Sequence, residues 1–168
     1  DTQIKTYGVS LLGKFELGEI GTLSTVSSYK NTDVLNLLDI DGTPVNAVGV
    51  YLHISERDYI QEINFTSSDM GGLTFSAGLF FLDKAERYDP NQALVYPSGA
   101  GGLFNTAYPA LPAPLTAGSW SLAKKQSYAA YLEASYNLTE QLTITAAGRY
   151  SHEKAEVANV ASAFNWSG

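Results

Sequence analysis

Residues 128–150, YAAYLEASYNLTEQLTITAAGRY, alternate between apolar and polar side chains with a period of two. This period is typical of a β-strand with one apolar face, whereas an amphipathic helix repeats about every 3.6 residues. The alternation pauses only at Thr139-Glu140-Gln141, whose polar residues predict a short turn. The segment is therefore predicted to form a β-hairpin.

The same alternation recurs along much of the chain, which predicts an all-β protein. It is clear over Tyr7–Leu17 and Leu73–Phe81, and a further strand is predicted over Tyr59–Thr66. A strand over Leu23–Thr32 is also predicted, although its pattern leaves its two faces unassigned. On the four clear strands, the uncharged apolar face consists of Tyr7, Val9, Leu11, Gly13, Phe15, Leu17, Leu73, Phe75, Ala77, Leu79, Phe81, Tyr128, Ala130, Leu132, Ala134, Tyr136, Leu138, Leu142, Ile144, Ala146, Gly148 and Tyr150.

The connections between these strands alternate between short and long. Short turns are predicted at 18–21, 68–72 and 139–141, and long links at about 35–58 and 87–125. Soluble domains seldom contain structureless loops of that length, whereas outer-membrane barrels combine short periplasmic turns with longer external loops. The pattern predicts an antiparallel up-and-down meander of about six strands, forming an arc of a transmembrane β-barrel with two long external loops.

The aromatic residues indicate that the apolar face meets lipid. With the short turns at the periplasmic end, one set lies at the external end of the strands and another at the periplasmic end. An eight-residue separation, as from Tyr7 to Phe15, is about 27 Å along a strand, or about 21 Å at a tilt of about 40°. That height is close to the apolar band between aromatic girdles, of about 25 Å. The external set is Tyr7, Tyr59, Phe81, Tyr128 and Tyr150, and the periplasmic set is Phe15, Phe65, Phe75 and Tyr136.

The number of strands predicts that the sequence is a piece of a longer protein. Membrane barrels have at least about eight strands, and an unpaired strand edge in hydrocarbon costs several kcal/mol for each backbone group. The first residue is Asp1 and no signal peptide is visible. A spanning helix is not expected either, because the uncharged stretch 90–123 contains five prolines.

Composition excludes several other classes of protein. The 168 residues carry a net charge of −7, and the absence of cysteine rules out a disulfide scaffold or a cysteine zinc site. An acidic chain without basic clusters is not expected to bind nucleic acid. Plentiful aromatic residues and only 16% charged residues exclude intrinsic disorder.

Motifs within residues 21–29, 72–81 and 138–153 resemble segments of TonB-dependent outer-membrane receptors. Residues 138–153 are similar to a hairpin of that family with a "Leu-Thr-Asp/Glu-x-Leu" turn and a strand ending "Gly-x-Arg-Tyr-Thr-x-Glu", although Ala147 and Ser151 depart from it. Residues 72–81 are similar to the strand "Leu-x-Trp-x-x-Gly-Leu-Phe-Tyr", with Phe75 in place of Trp. Residues 21–29 resemble the strand "Leu-Thr-Ser-Ile-Thr-Ala-Tyr". Their order and spacing fit the middle of the receptor barrel.

The resemblance implies a barrel of about 22 strands with a plugged lumen. Such receptors take up scarce nutrients, typically ferric siderophores or cobalamin and in some members carbohydrates, with energy supplied by the inner-membrane TonB complex. Residues 1–168 are then expected to be a partial barrel without plug, signal peptide or barrel C-terminus. The expected partners are outer-membrane lipid, a small molecule such as a metal chelate, and TonB through other parts of the protein.

The uncharged link over 90–122 contains the candidate ligand-binding residues Tyr96, Phe104, Tyr108 and Trp120. Binding residues often lie on loops held by a rigid scaffold, so these aromatic side chains are hypothesised to contact an incoming ligand. The alternative is that they pack the loop against its neighbours.

No catalytic group, metal site or cofactor is expected. Asp39-Ile40-Asp41-Gly42 resembles the start of a calcium loop but lacks the later ligands, which favours a simple turn. His53 and His152 have no ligand spacing, and the glycines over 98–102 match neither a nucleophile elbow nor a phosphate loop. The alternatives to a receptor are a passive porin-like channel and a soluble β-sandwich binding module.

Overall fold

The computed structural model describes residues 2–39, 49–96 and 115–166, which form one antiparallel sheet. The six strands follow one another across the sheet in chain order, which confirms the predicted meander. No helix in these ranges is long and apolar enough to cross a membrane. The elements are β1 (Thr2–Glu16), a 3-10 turn (Gly18–Ile20), β2 (Gly21–Asp39), β3 (Gly49–Ser67), β4 (Leu73–Tyr96), β5 (Leu115–Thr139) and β6 (Leu142–Trp166).

The three predicted short turns are present at one end of the sheet. In the first, the Leu17 N–H donates to the Gly21 carbonyl over 2.8 Å, and Gly21 has φ of 144°. A Cβ on Gly21 would lie 2.2 Å from the Thr66 carbonyl oxygen, so the turn needs glycine there. In the second, the Gly72 N–H donates to the Asp69 carboxylate over 2.6 Å.

The predicted long links are wrong in their bounds, because the strands continue well into the predicted ranges. β2 and β3 stay paired as far as Asp39 and Gly49, and β4 and β5 as far as Tyr96 and Leu115. The prolines and the lack of charge suggested a loop, but pairing with a neighbouring strand overrides those local signals. Pro90 lies where the β4–β5 register shifts between Tyr88 and Gln92, a bulge that removes the need for its missing N–H.

The pairing register assigns the faces of β2, which the sequence left open. Residues directly opposite one another in an antiparallel pair share a face. Tyr29 lies opposite Val9 on β1 and Tyr59 on β3, so the odd-numbered residues of β2 belong to the apolar face. The pattern was mixed because Ser27 also lies on this face, where its hydroxyl donates to Gln61 Oε1 over 2.6 Å.

The apolar face carries two rows of aromatic rings, as predicted. Tyr29 completes the row near the long links, and Phe81 contacts Tyr59 and Tyr128 there with ring centroids 6.1 and 5.0 Å apart. In the row near the short turns, Phe65 and Phe75 are 5.5 Å apart. We call these the upper row (Tyr7, Tyr29, Tyr59, Phe81, Tyr128 and Tyr150) and the lower row (Phe15, Phe65, Phe75 and Tyr136).

The upper row crosses the strands obliquely, which gives the tilt of the sheet. Directly paired residues on successive strands connect Tyr7 on β1 with Glu156 on β6, five strand spacings away. Glu156 lies six residues beyond Tyr150, which is the member of the upper row on β6. At about 3.4 Å per residue and about 4.8 Å per strand, this offset corresponds to strands tilted by about 40° if the row is level. Transmembrane barrels have strands tilted by about 35–45°.

The sheet has no hydrophobic core of its own among the described residues. Ala129 is their one buried apolar residue, whereas Leu132 and Tyr150 on the apolar face are 54% and 72% exposed. A β-sandwich would cover this face with a second sheet. The described residues form a single sheet with the apolar face bare.

On the opposite, polar face, one glycine provides the space for an aromatic ring. A Cβ on Gly78 would lie 2.2 Å from Tyr131 Cε1 and 2.4 Å from Asn64 Oδ1. The ring of Tyr131 lies across Gly78, and its hydroxyl donates to Asn64 Oδ1 over 3.1 Å. This contact joins β3, β4 and β5.

We predict that Gly78→Ala destabilises the protein by about 1–3 kcal/mol, because the added methyl group must displace the Tyr131 ring. The free energy of unfolding in urea, measured on the full-length protein in lipid vesicles, tests this. Gly148→Ala is the matched control, since a Cβ there meets nothing within 4 Å. Equal stability of the two variants would contradict the prediction.

Candidate functional site

The polar face of the sheet contains the candidate site. Alternation along the strands places Lys14, Glu62, Glu133 and Arg149 on this face. In a closed barrel whose apolar face is outside, the polar face lines the interior. Its side chains are then the ones that a molecule inside the barrel meets.

Four further charges on this face form a cluster near the height of the upper row, on the other side of the sheet; we call it the four-charge cluster, and it consists of Lys30, Glu56, Asp58 and Lys84. The register places Asp58 directly between Lys30 and Lys84. Lys30 Nζ lies 3.2 Å from Asp58 Oδ2, and Lys84 Nζ lies 2.7 Å from Glu56 Oε2. Longer contacts, of 3.7 Å from Lys30 to Glu56 and 3.9 Å from Lys84 to Asp58, close the network. Opposite charges on facing strands stabilise the register.

The contact between Lys84 and Glu56 alters the pKa values of both groups. The hydrogen bond from Lys84 lowers the pKa of Glu56 below its ordinary value of 4.5, and the same bond raises the pKa of Lys84. Asp58 Oδ1 is buried and has no hydrogen-bond donor among the described residues. A buried acceptor without a donor is costly, and Lys84 Nζ, 3.9 Å from this oxygen, offsets part of that cost.

Further polar pairs continue the charged surface over β4 to β6. The Tyr88 hydroxyl donates to Glu86, and this bond raises the pKa of Tyr88. Glu153 is held by Lys125 Nζ at 3.1 Å and by the Ser127 hydroxyl at 3.3 Å. Such a surface can recognise a polar or charged molecule by ion pairs and hydrogen bonds. Within the described ranges, no group of three His, Asp or Glu residues could hold a metal ion.

The structure describes only part of the candidate set drawn from the sequence. Trp120 lies in β5 rather than in a loop, and Tyr96 is the last residue of β4. Phe104 and Tyr108 lie outside the described residues.

Trp120 is half-buried beside an open cavity of about 190 Å³ that Tyr88 and Asn159 also line. The register is irregular on both sides of it, at Tyr88/Gln92 on β4 and opposite Asn159 on β6, where φ is 54°. Bulges re-aim side chains, and these two set the position of Trp120.

Sequence reasoning missed the four-charge cluster and the place of Tyr29 in the upper row. Lys30, Asp58 and Lys84 are separated by more than 25 residues in sequence, and only the register brings them into one line. The available signal was the position of the short turns, since counting back from each turn aligns facing residues.

The geometry defines a class of protein: the wall of a β-barrel with an apolar outer face and a polar inner face. The family model described as "TonB dependent receptor-like, beta-barrel" matches residues 1–168. The chain belongs to the TonB-dependent receptor family, through its β-barrel domain. The three segments that resembled the family lie at the start of β2, at the start of β4 and in the β5–β6 hairpin.

A solved structure has the same fold. The chain is similar to the ferric yersiniabactin uptake receptor FyuA from Yersinia pestis, with a TM-score of 0.69 and 16% sequence identity. The similarity covers 98% of this chain and 24% of that receptor, so the chain spans about a quarter of its length. No curated protein sequence matches the chain. The family is one of receptors and transporters, not of enzymes.

We predict that the Glu56–Lys84 bond contributes about 0.5–1 kcal/mol at neutral pH. Because the pKa of Glu56 is lowered in the folded state, this contribution is present above about pH 4.5 and is lost as the pH falls below that value. Glu56→Gln should therefore be less stable than the wild type at pH 7 and similar to it near pH 3. The measurement is urea unfolding in vesicles across this range.

The control for this pH dependence is Glu140→Gln, in the exposed β5–β6 turn. Glu140 has no ion pair among the residues that the structure covers. A constant stability difference between the wild type and Glu56→Gln from pH 7 to pH 3 would show that the bond does not act through ionisation.

Proposed function

We propose that this chain is part of the wall of an outer-membrane receptor that takes up a scarce nutrient, a ferric siderophore or a similar chelate. Uptake would be energised by the inner-membrane TonB complex, which other parts of the receptor would contact. Residues 1–168 would form about six barrel strands, and the plug, signal peptide and barrel C-terminus would lie elsewhere in the protein. Outer-membrane lipid would surround the apolar face.

The observation that carries this proposal is the pair of aromatic rows on a bare apolar face. Rows of this kind mark the two interfaces of a membrane in β-barrels, and the tilt of about 40° agrees with that setting. Members of the family reside in the bacterial outer membrane, bind small molecules such as siderophores and interact with TonB. The open edges of β1 and β6 also support a longer barrel, since unpaired strand edges do not occur in hydrocarbon.

In this proposal the wall is a scaffold and the polar side chains act on the ligand. External residues would capture the chelate, and the four-charge cluster would meet it near the entrance to the barrel. Lys30 and Lys84 offer donors to an anionic chelate, while Glu56 and Asp58 keep the cluster neutral overall. Passage would then depend on the plug.

The test is fractionation of native cells followed by uptake assays. An antibody against residues 90–122 should detect an outer-membrane band several times larger than the 18.1 kDa of this chain, and its mobility should change on heating. Deleting the gene should abolish growth on one of a panel of ferric siderophores in iron-poor medium. Uptake of that siderophore should stop when a protonophore is added.

The alternatives predict different results in the same test. A passive channel would give an outer-membrane band with uptake that is insensitive to the protonophore. A soluble band near 18.1 kDa would contradict the receptor proposal and favour a β-sandwich module.

We further propose that Tyr96, Phe104, Tyr108 and Trp120 contact the incoming ligand. Aromatic side chains at the external end of a rigid scaffold offer large contact areas at a small cost in entropy. Changing all four to Ser in the full-length receptor should lower the affinity for the transported chelate about tenfold or more, while the amount of receptor in the membrane stays the same. Unchanged binding would favour the alternative that they pack the loop.

A further inference from the structure

The apolar side of the sheet bears an open, charged cavity just beyond the upper row. Its volume is about 190 Å³, and Arg57, Lys124 and Lys154 line it together with Asp83 and Glu156. This cavity lies on the opposite face from the four-charge cluster, so it cannot serve a ligand inside the barrel. It belongs to the surface that faces away from the lumen.

The height of these charges above the upper row follows from the register. Arg57 lies two residues beyond Tyr59, and Lys124 lies four residues beyond Tyr128. At about 3.4 Å per residue and a tilt of about 40°, they stand about 5 and 10 Å above the aromatic rings. Aromatic girdles lie at the membrane interface, so the cations reach the layer of lipid headgroups.

The cavity is lined by three cations and two carboxylates, which leaves one net positive charge. Lys154 Nζ is paired with Glu156 at 3.2 Å, and Asp83 accepts a hydrogen bond from Gln126 at 3.5 Å. Arg57 and Lys124 have no ion pair or hydrogen bond among the described residues. These two cations outnumber the one remaining carboxylate, Asp83, and are complementary to an anion such as phosphate.

Directly below the charged cavity, an apolar groove runs along the same strands. It has a volume of about 400 Å³, with Phe81, Tyr128 and Tyr150 around Ala130. Phe81 and Tyr128 each lie two residues below a residue that lines the charged cavity, so the two depressions are adjacent. The small Ala130 side chain leaves room between the rings for a hydrocarbon chain.

We propose that the cavity and the groove together bind one lipid with a phosphate headgroup in the outer leaflet of the membrane. Arg57 and Lys124 hold the phosphate, and an acyl chain lies in the groove over Ala130. This inference rests on the proposed function, because it requires the apolar face to be in the membrane. It adds a specific lipid site on the outside of the barrel, distinct from the ligand path within it.

The test uses the full receptor purified in a neutral detergent and shown to be a folded barrel by its heat-dependent mobility. Lipid A, which carries phosphates and acyl chains, is the probe, and native mass spectrometry measures its binding. The variant Arg57→Gln with Lys124→Gln should bind lipid A at least about tenfold more weakly. The matched control is Arg149→Gln with Lys125→Gln, which loses the same charges from the polar face and should bind like the wild type.

A second pair of variants tests the groove. Ala130→Trp fills it and should weaken lipid A binding, whereas Ala146→Trp, on the same face but outside the groove, should not. Inorganic pyrophosphate distinguishes the headgroup from a free anion, and it should bind far more weakly than lipid A.

Three results would overturn the lipid site. The first is an equal loss of lipid A binding in the two double charge variants. The second is unchanged lipid A binding by Ala130→Trp. The third is pyrophosphate binding as tight as that of lipid A. These results on a heat-modifiable barrel would leave the receptor proposal intact. If the protein is absent from the outer membrane, both proposals fail.

Discussion

The register between neighbouring strands is the constraint on which the rest of this structure depends. Backbone hydrogen bonds fix which residues face each other, and side chains alternate between faces, so one alignment decides every neighbour on both surfaces. A shift of one residue in β3 would move Tyr59 out of the upper row and remove Asp58 from its place between two lysines. The aromatic rows and the charged groups are therefore two results of the same alignment.

This alignment lets one layer of chain serve two different environments. The apolar face has no charge between its aromatic rows, and its polar groups there, such as Ser27 and Gln61, bond to each other. On the other face, Lys30 and Lys84 are held by carboxylates, and Tyr131 lies over Gly78. A barrel sheet of this kind needs no packed core on its apolar face, because membrane lipid covers that face.

The sequence predicted the parts of the fold that depend on local pattern. The hairpin over 128–150, the three turns and most members of both aromatic rows follow from alternation and turn residues alone. The strand ends did not, because Pro90 and the uncharged residues near it are compatible with a bulge only when a partner strand is present. The four-charge cluster could not be predicted from the sequence either, because its members meet through pairing across three strands and not through spacing in the chain.

The bulges beside Trp120 bear on how such a chain can change in evolution. Between the aromatic rows, inserting a single residue would turn every later side chain of that strand to the wrong face, so only paired insertions preserve the wall. Near Trp120, β4 already accommodates two extra residues relative to β5, and β6 accommodates one. At this height, bulges accommodate additional residues without changing the pairing below them. The parts of the strands beyond Trp120 can therefore differ in length while the strands below them keep their alignment.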